Sequence, residues 1–147
     1  MSVCIFIAAD CELQVKLFSS DDHFIEINEG TVFDGDKDDE YELYEFRDVA
    51  SYSELHNGVE LLWNYWTPGR AREIIEYIKT ALEKCDAVEL GKVWLMDYYD
   101  YDERPYYQRR EISISELTSD DIKSITEADV WGKGEMRPVY YSLRVHR

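Results

Sequence analysis

Four acidic residues in this chain have the spacing of a calcium loop. Asp34, Asp36, Asp38 and Glu45 fall at positions 1, 3, 5 and 12 of an EF-hand pattern, where carboxylate oxygens ligate the ion. Position 6, which takes Gly at the sharp turn, is Asp39 here. The segments on either side, EINEGTVF and residues 41–46, alternate like strands instead of repeating like helices. The stretch reads as a solvated acidic loop, with no metal ligand assigned.

Residues 97–110, DYYDYDERPYYQRR, form a second constellation, with five tyrosines, four acids and three arginines between two expected strands. Tyr supplies rigid contact area with a polar tip and Arg makes bidentate bonds, so both are enriched where proteins bind one another. The plainer reading is a long twisted hairpin whose rings pair across strands. A third set is Trp66, Arg70 and Arg72, at the start of the clearest helix in the chain. Two cations beside free backbone N–H groups are suited to an anion, although the helix dipole prefers acids there and pairing with carboxylates explains them as well.

Catalytic signatures are weak. His23, His56 and His146 fit no nucleophile or metal motif, and the sequence Gly132-Lys-Gly134 lacks the spacing of a phosphate-binding loop. No catalytic residue and no cofactor is assigned, and the reading leans away from an enzyme. Cys4, Cys11 and Cys85 are odd in number and lack metal-ligand spacing, so they read as reduced structural thiols of a cytoplasmic protein.

The elements that would position these residues follow from periodicity. TPGRAREIIEYIKTALEKC has Thr67 as N-cap, Pro68 at the first helical position, and a stripe of Ala71, Ile74, Ile75, Ile78, Ala81, Leu82 and Cys85. This predicts a helix over 68–85 packed on a sheet. VCIFIA, from residue 3, is apolar on both faces, as a central strand would be. Leu13, Val15 and Leu17 alternate as a half-buried strand, and FIEIN over 24–28 is another candidate. The acidic loop ends in a possible edge strand, and residues 51–57 have room for one helical turn.

Strands are expected over 59–66, 87–99, 111–115 and from Val139 to Val145, where Tyr140, Ser142 and Arg144 share the second face. Thr118 and Asp121 resemble a capping box opening a short helix. The fold class is therefore α+β: a mostly antiparallel sheet with one long and one short helix. The second half reads β-α-β-β-α-β, the order of a ferredoxin-like unit, with the N-terminal strands extending or covering its sheet. With no linker or repeat, residues 1–147 read as a single domain. No apolar run is long enough to span a membrane, and the first strand lacks the basic flank of a signal peptide.

Net charge is −16 and unevenly spread: residues 1–66 hold 16 acids against 3 bases, and residues 67–147 hold 16 against 13. Such a field repels nucleic acid and anionic membranes and draws basic partners in, although solubility alone also explains it. At VCIFIAAD, WTPGRAREIIEYIKTAL, GKVWLMDYY and ISISELTSDDI the chain resembles a group of small, uncharacterised acidic bacterial proteins. In size, acidity and aromatic content it is loosely similar to bacterial immunity proteins, which bind and neutralise a toxin of the same cell. Neither resemblance brings functional residues.

The leading expectation is a cytoplasmic binding protein for a basic protein partner, an immunity-type inhibitor in its sharpest form. Asp36, Asp38 and Asp39 would steer the encounter, and Tyr99, Tyr101, Tyr106 and Tyr107 would hold the complex. The alternatives are a small-ligand binder or enzyme with an anion site at Trp66, Arg70 and Arg72, and a self-associating structural protein with a homodimer interface.

Overall fold

A computed structural model describes residues 2–15, 42–62, 66–95, 106–130 and 139–147. Strand β1 (Ser2–Ala9) is followed by β2 (Glu42–Glu45), a 3-10 turn (Arg47–Ser51), β3 (Asn57–Leu62), helix α1 (Pro68–Leu82) and β4 (Ala87–Leu95). Then come β5 (Tyr106–Ser113), helix α2 (Ser119–Thr126) and β6 (Val139–His146). The strands form one mixed sheet in the order β2-β3-β1-β4-β6-β5, in which only the β5–β6 pair is parallel. The α+β class and the mostly antiparallel sheet expected from the sequence are both present.

Apolar residues on both faces place β1 in the interior of the sheet, between β3 and β4. Its Ile7 and Ala9 meet one core, and its Cys4, Phe6 and Ala8 meet another on the opposite face. Helix α1 begins as its sequence requires, with Pro68 in the first turn and the Thr67 hydroxyl accepting from the Arg70 N–H at 3.1 Å. Ala71, Ile74, Ile78, Ala81 and Leu82 are buried against the sheet, with Ile75 and Cys85 half-buried at the border of the stripe. Helix α2 presents Ile122 and Ile125 to the same core.

Its capping box is also formed: the Asp121 carboxylate accepts from the Thr118 N–H at 2.8 Å and the Thr118 hydroxyl at 2.9 Å. At the other end of α2, Lys92 donates to the carbonyls of Thr126 and Ala128 at 2.9 and 2.6 Å, a cation where the helix dipole favours one. Both helices therefore cover one face of the sheet. The second core, on the other face, lies under Phe46, Val49 and Leu55, from the 3-10 turn and the residues on either side of it.

Several expectations are corrected. The β-α-β-β-α-β order holds along the chain, but across the sheet it does not give the interleaved halves of a ferredoxin-like unit. Here β1 is inserted between β3 and β4, and the β5-α2-β6 unit stands beside them. The 97–110 segment does not close a hairpin, because β6 lies between β4 and β5. Residues 106–110 belong to β5 itself, which begins before the predicted 111–115. The physical reason is burial: β6 is apolar enough on both faces to sit inside, whereas YYQRREIS is polar and takes the edge.

Residues 13–15 are irregular; Leu13 rests on the core, and the Tyr77 hydroxyl donates to the Gln14 carbonyl at 2.7 Å. The helical turn forms at 47–51, before the predicted span, because Asn57 and Gly58 already belong to β3. A Cβ at Gly58 would come within 2.8 Å of Val49, so the close packing of the turn on β3 requires glycine there. The strand expected at 24–28 lies outside the described residues. Among the described residues, no helix is long and apolar enough to cross a membrane.

Candidate functional site

The helix-free face carries a polar centre. In a strand, alternate residues point to the same side, so Glu89 shares a face with Gly91 and Val93, away from Val88 and Leu90. Register then fixes its neighbours: Glu89 stands opposite Arg144, Ser142 is paired with Gly91 on one side and Arg109 on the other, and Tyr140 lies beside Tyr107. Six chemistry-bearing side chains from β4, β6 and β5 thus meet on one patch: Glu89, Tyr107, Arg109, Tyr140, Ser142 and Arg144.

Glu89 is 0% exposed. Burying a carboxylate costs several kcal/mol unless it is paired and hydrogen-bonded, and here both conditions hold. It accepts from the Ser53 hydroxyl at 3.1 Å, from Arg144 Nη2 at 3.0 Å and from the Tyr140 hydroxyl, and Arg109 Nη2 lies 3.8 Å away. Arg144 also reaches the exposed Glu54 carboxylate at 3.8 Å. The segment after the 3-10 turn therefore brings Ser53 and Glu54 to a site otherwise made of strands.

Burial, reinforced by the Glu89 carboxylate, holds the Tyr140 phenol far above its usual pKa, so it stays a hydrogen-bond donor. The Tyr107 phenol is also raised: burial outweighs its interaction with Ser142 and the pull of Arg109 and Arg144, and the Glu89 charge adds to the rise. Burial would lower Arg144, but the hydrogen bond and charge of Glu89, together with Tyr107 and Glu54, outweigh it and hold the guanidinium above its usual range.

What this centre does is hold Tyr107. That ring meets Tyr140 edge-on at 4.7 Å between centroids, and the Arg109 guanidinium lies 4.8 Å from the ring centre. Tyr140 in turn contacts Phe6, which packs on Phe46 and through it on Tyr52. A row of rings crosses the face and ends at Tyr107, 47% exposed on edge strand β5. An exposed Tyr fixed from below loses little side-chain entropy when a partner covers it.

Of the residues singled out from sequence, Tyr107 is described and sits at this site. Tyr106 lies in β5, with only its backbone placement described. Asp36, Asp38, Asp39, Tyr99 and Tyr101 lie outside the described residues. Trp66, Arg70 and Arg72 are all described, at and just inside the start of α1. Trp66 is half-buried under the Lys123 ammonium, 4.7 Å from the ring centre, Arg70 is buried on the sheet side of α1, and Arg72 is exposed.

Sequence reasoning did not single out Glu89 or Arg144 as site residues, and it included Arg109 only as one of the three arginines of 97–110. The available signal was a lone Glu on a strand face otherwise made of Ala87, Gly91, Val93 and Leu95, together with a lone Arg on the Tyr140–Ser142 face of the last strand. Comparison with protein families, with curated proteins and with solved structures finds no match.

Proposed function

We propose that this protein is a binding protein for a basic protein partner, which docks over the open β5 edge onto Tyr107. An immunity-type inhibitor is the sharpest form of this reading. The observation that carries it is Tyr107 itself, half-exposed yet anchored through Tyr140 and Arg109 to a buried carboxylate.

The charge arrangement supports the sign of the partner. Arg47, Lys79, Arg109, Arg110, Lys123, Arg144 and Arg147 each lie within 4.0 Å of a carboxylate of this same chain. Lys92 is directed at helix carbonyls. Most described cations are thereby neutralised internally, while Glu12, Glu73, Glu83, Glu116 and Asp120 lie exposed. The excess of 32 acids over 16 bases gives the chain an attractive field for a cation-rich partner.

The test is affinity capture from the native cell followed by surface plasmon resonance at two salt concentrations. Tyr107→Ala is expected to speed dissociation by roughly tenfold, the effect of truncating an aromatic anchor. Neutralising Asp36, Asp38 and Asp39 is expected to slow association, with the difference fading as salt rises. A captured basic protein indifferent to both changes, or capture of no basic protein, refutes the proposal.

A further inference from the structure

Cys11 and Cys85 are 74 residues apart in sequence, and their sulfurs lie 3.3 Å apart. Neither is in a disulfide, and neither is deeply buried. Cys11 lies two residues past the end of β1, and Cys85 lies three residues past the end of α1. Both thiols point at one acceptor, the Ala81 carbonyl, at 3.5 and 3.2 Å, which holds the two sulfurs in the same small space. A disulfide bond is about 2.0 Å long. The sulfurs therefore need to close by only about 1.3 Å, in a segment around Cys11 that has no ladder hydrogen bonds to resist it.

We propose that Cys11 and Cys85 form a reversible dithiol–disulfide couple, a covalent staple between the end of β1 and the end of α1. With hydrogen peroxide as the two-electron oxidant, the Cys11 sulfur attacks one peroxide oxygen. The O–O bond breaks, the second oxygen leaves as water, and Cys11 becomes a sulfenic acid. The Cys85 sulfur then attacks the Cys11 sulfur, the S–O bond breaks, and a second water leaves with the Cys85 proton. Two thiols and one peroxide become one disulfide and two waters.

The order follows the environments: burial, with Cys11 beside it, pushes the Cys85 thiol up to about 11, suiting it to act second. Cys4 takes no part. It is buried in the opposite core, where burial and Glu60 push its thiol well above the usual range.

The staple would add a covalent tie between residues 10–15 and α1, beside the packing of Cys11 and Leu13 on the core and a few polar contacts. Tyr77 donates to the Gln14 carbonyl, and Asp10 accepts from the His56 N–H at 3.3 Å. The experiment treats the full chain with a small excess of hydrogen peroxide and follows it by intact mass and non-reducing peptide mapping. A loss of about 2 Da, a Cys11–Cys85 peptide and full reversal by dithiothreitol are expected, in the natural chain and equally in Cys4→Ala. The melting temperature is expected to rise by roughly 5–15 °C on oxidation and to fall back on reduction. Cys11→Ser and Cys85→Ser are expected to show neither change. Oxygen addition at either cysteine without a cross-link, a disulfide through Cys4 or between two molecules, or no reaction overturns the proposal.

Discussion

Replacing Glu89 by Ala removes the only carboxylate of the polar centre that is fully buried, so its cost can be worked from the contacts. Arg144, 13% exposed at its side chain, loses a bond of 3.0 Å, and Arg109, 24% exposed, loses a counter-charge at 3.8 Å. Glu54 remains near Arg144, but its carboxylate is 79% exposed and screened, so it replaces little of the loss. The Tyr140 hydroxyl is left buried without its acceptor, which alone costs about 1–3 kcal/mol. Breaking a buried ion pair from one side typically costs about 3–5 kcal/mol, and the hydrogen-bond losses overlap with that figure.

We therefore expect Glu89→Ala to destabilise by about 3–5 kcal/mol, a substantial share of the roughly 7–15 kcal/mol that a chain of this size has in all. The assay is guanidinium unfolding followed by tryptophan fluorescence, reading the midpoint at unchanged slope. Glu89→Leu combined with Arg144→Met is expected to recover part of the loss, because an apolar pair of similar volume needs no compensation. A cost below about 1 kcal/mol for Glu89→Ala, or strict additivity in the double variant, would falsify the account of Glu89 as the centre that orders its neighbours.

Ile78, 0% exposed on the α1 stripe, is expected to cost about 2–5 kcal/mol as Ile78→Ala in the same unfolding assay; a near-neutral result would contradict its place in the core. Gly91→Ala drives a Cβ into the Phe6 ring, so it should destabilise by about 1–3 kcal/mol, and a shorter side chain in Phe6→Leu should relieve part of that. Above its ordinary pKa of 10.0 the Tyr140 phenol ionises in the unfolded chain but stays protonated when folded. The unfolded state then binds fewer protons, so stability falls as pH rises past about 10, and Tyr140→Phe should flatten that fall in pH-dependent melting. Asp121 behaves oppositely: the Thr118 N–H and hydroxyl and the Arg110 guanidinium outweigh burial and hold its carboxyl below the usual range. Its contribution, about 0.5–2 kcal/mol as a helix cap, is present above its ordinary pKa of 3.8 and lost as pH falls beneath it, so Asp121→Ala and the natural chain should converge in acid.

What the sequence disclosed depended on whether the controlling interactions were local. The α1 helix was legible because its cap, its Pro68 and its apolar stripe all lie within one stretch, and β1 because both of its faces are apolar. The two faces of β6 were visible too, with Tyr140, Ser142 and Arg144 together on one of them. Strand order was not legible. Nothing within residues 87–115 says that β6, from the far end of the chain, will slide between β4 and β5. Without that insertion a hairpin was the natural reading. The polar centre was hidden for the same reason, since Glu89 and Arg144 become neighbours only through the β4–β6 register. The thiol pair was hidden more deeply, because no spacing rule connects residues 11 and 85.

One physical thread joins the misread region to the proposed function. A hairpin at 97–110 would have left the tyrosines paired with each other and the arginines in water. Edge strand β5 instead turns Arg109 inward to Glu89 and gives Arg110 to Asp121 of α2, at 2.7 Å. The cations closest to Tyr107 are thus held by the protein's own carboxylates, and the ring reaches solvent without a free positive neighbour on its strand. In the proposed complex, a basic partner approaching that edge would meet an aromatic anchor whose nearby charges on β5 are already compensated. The same ring beside unpaired arginines would repel that partner. On the proposed reading, the inward pairing of Arg109 is what would make Tyr107 usable by a cation-rich surface, and Arg109→Met, which keeps much of the packing stem but removes the charge, should loosen the ring without adding repulsion. Dissociation of the partner should then quicken while the association rate and its salt dependence stay as they were; a change confined to association would show that Arg109 acts through charge and not by holding Tyr107.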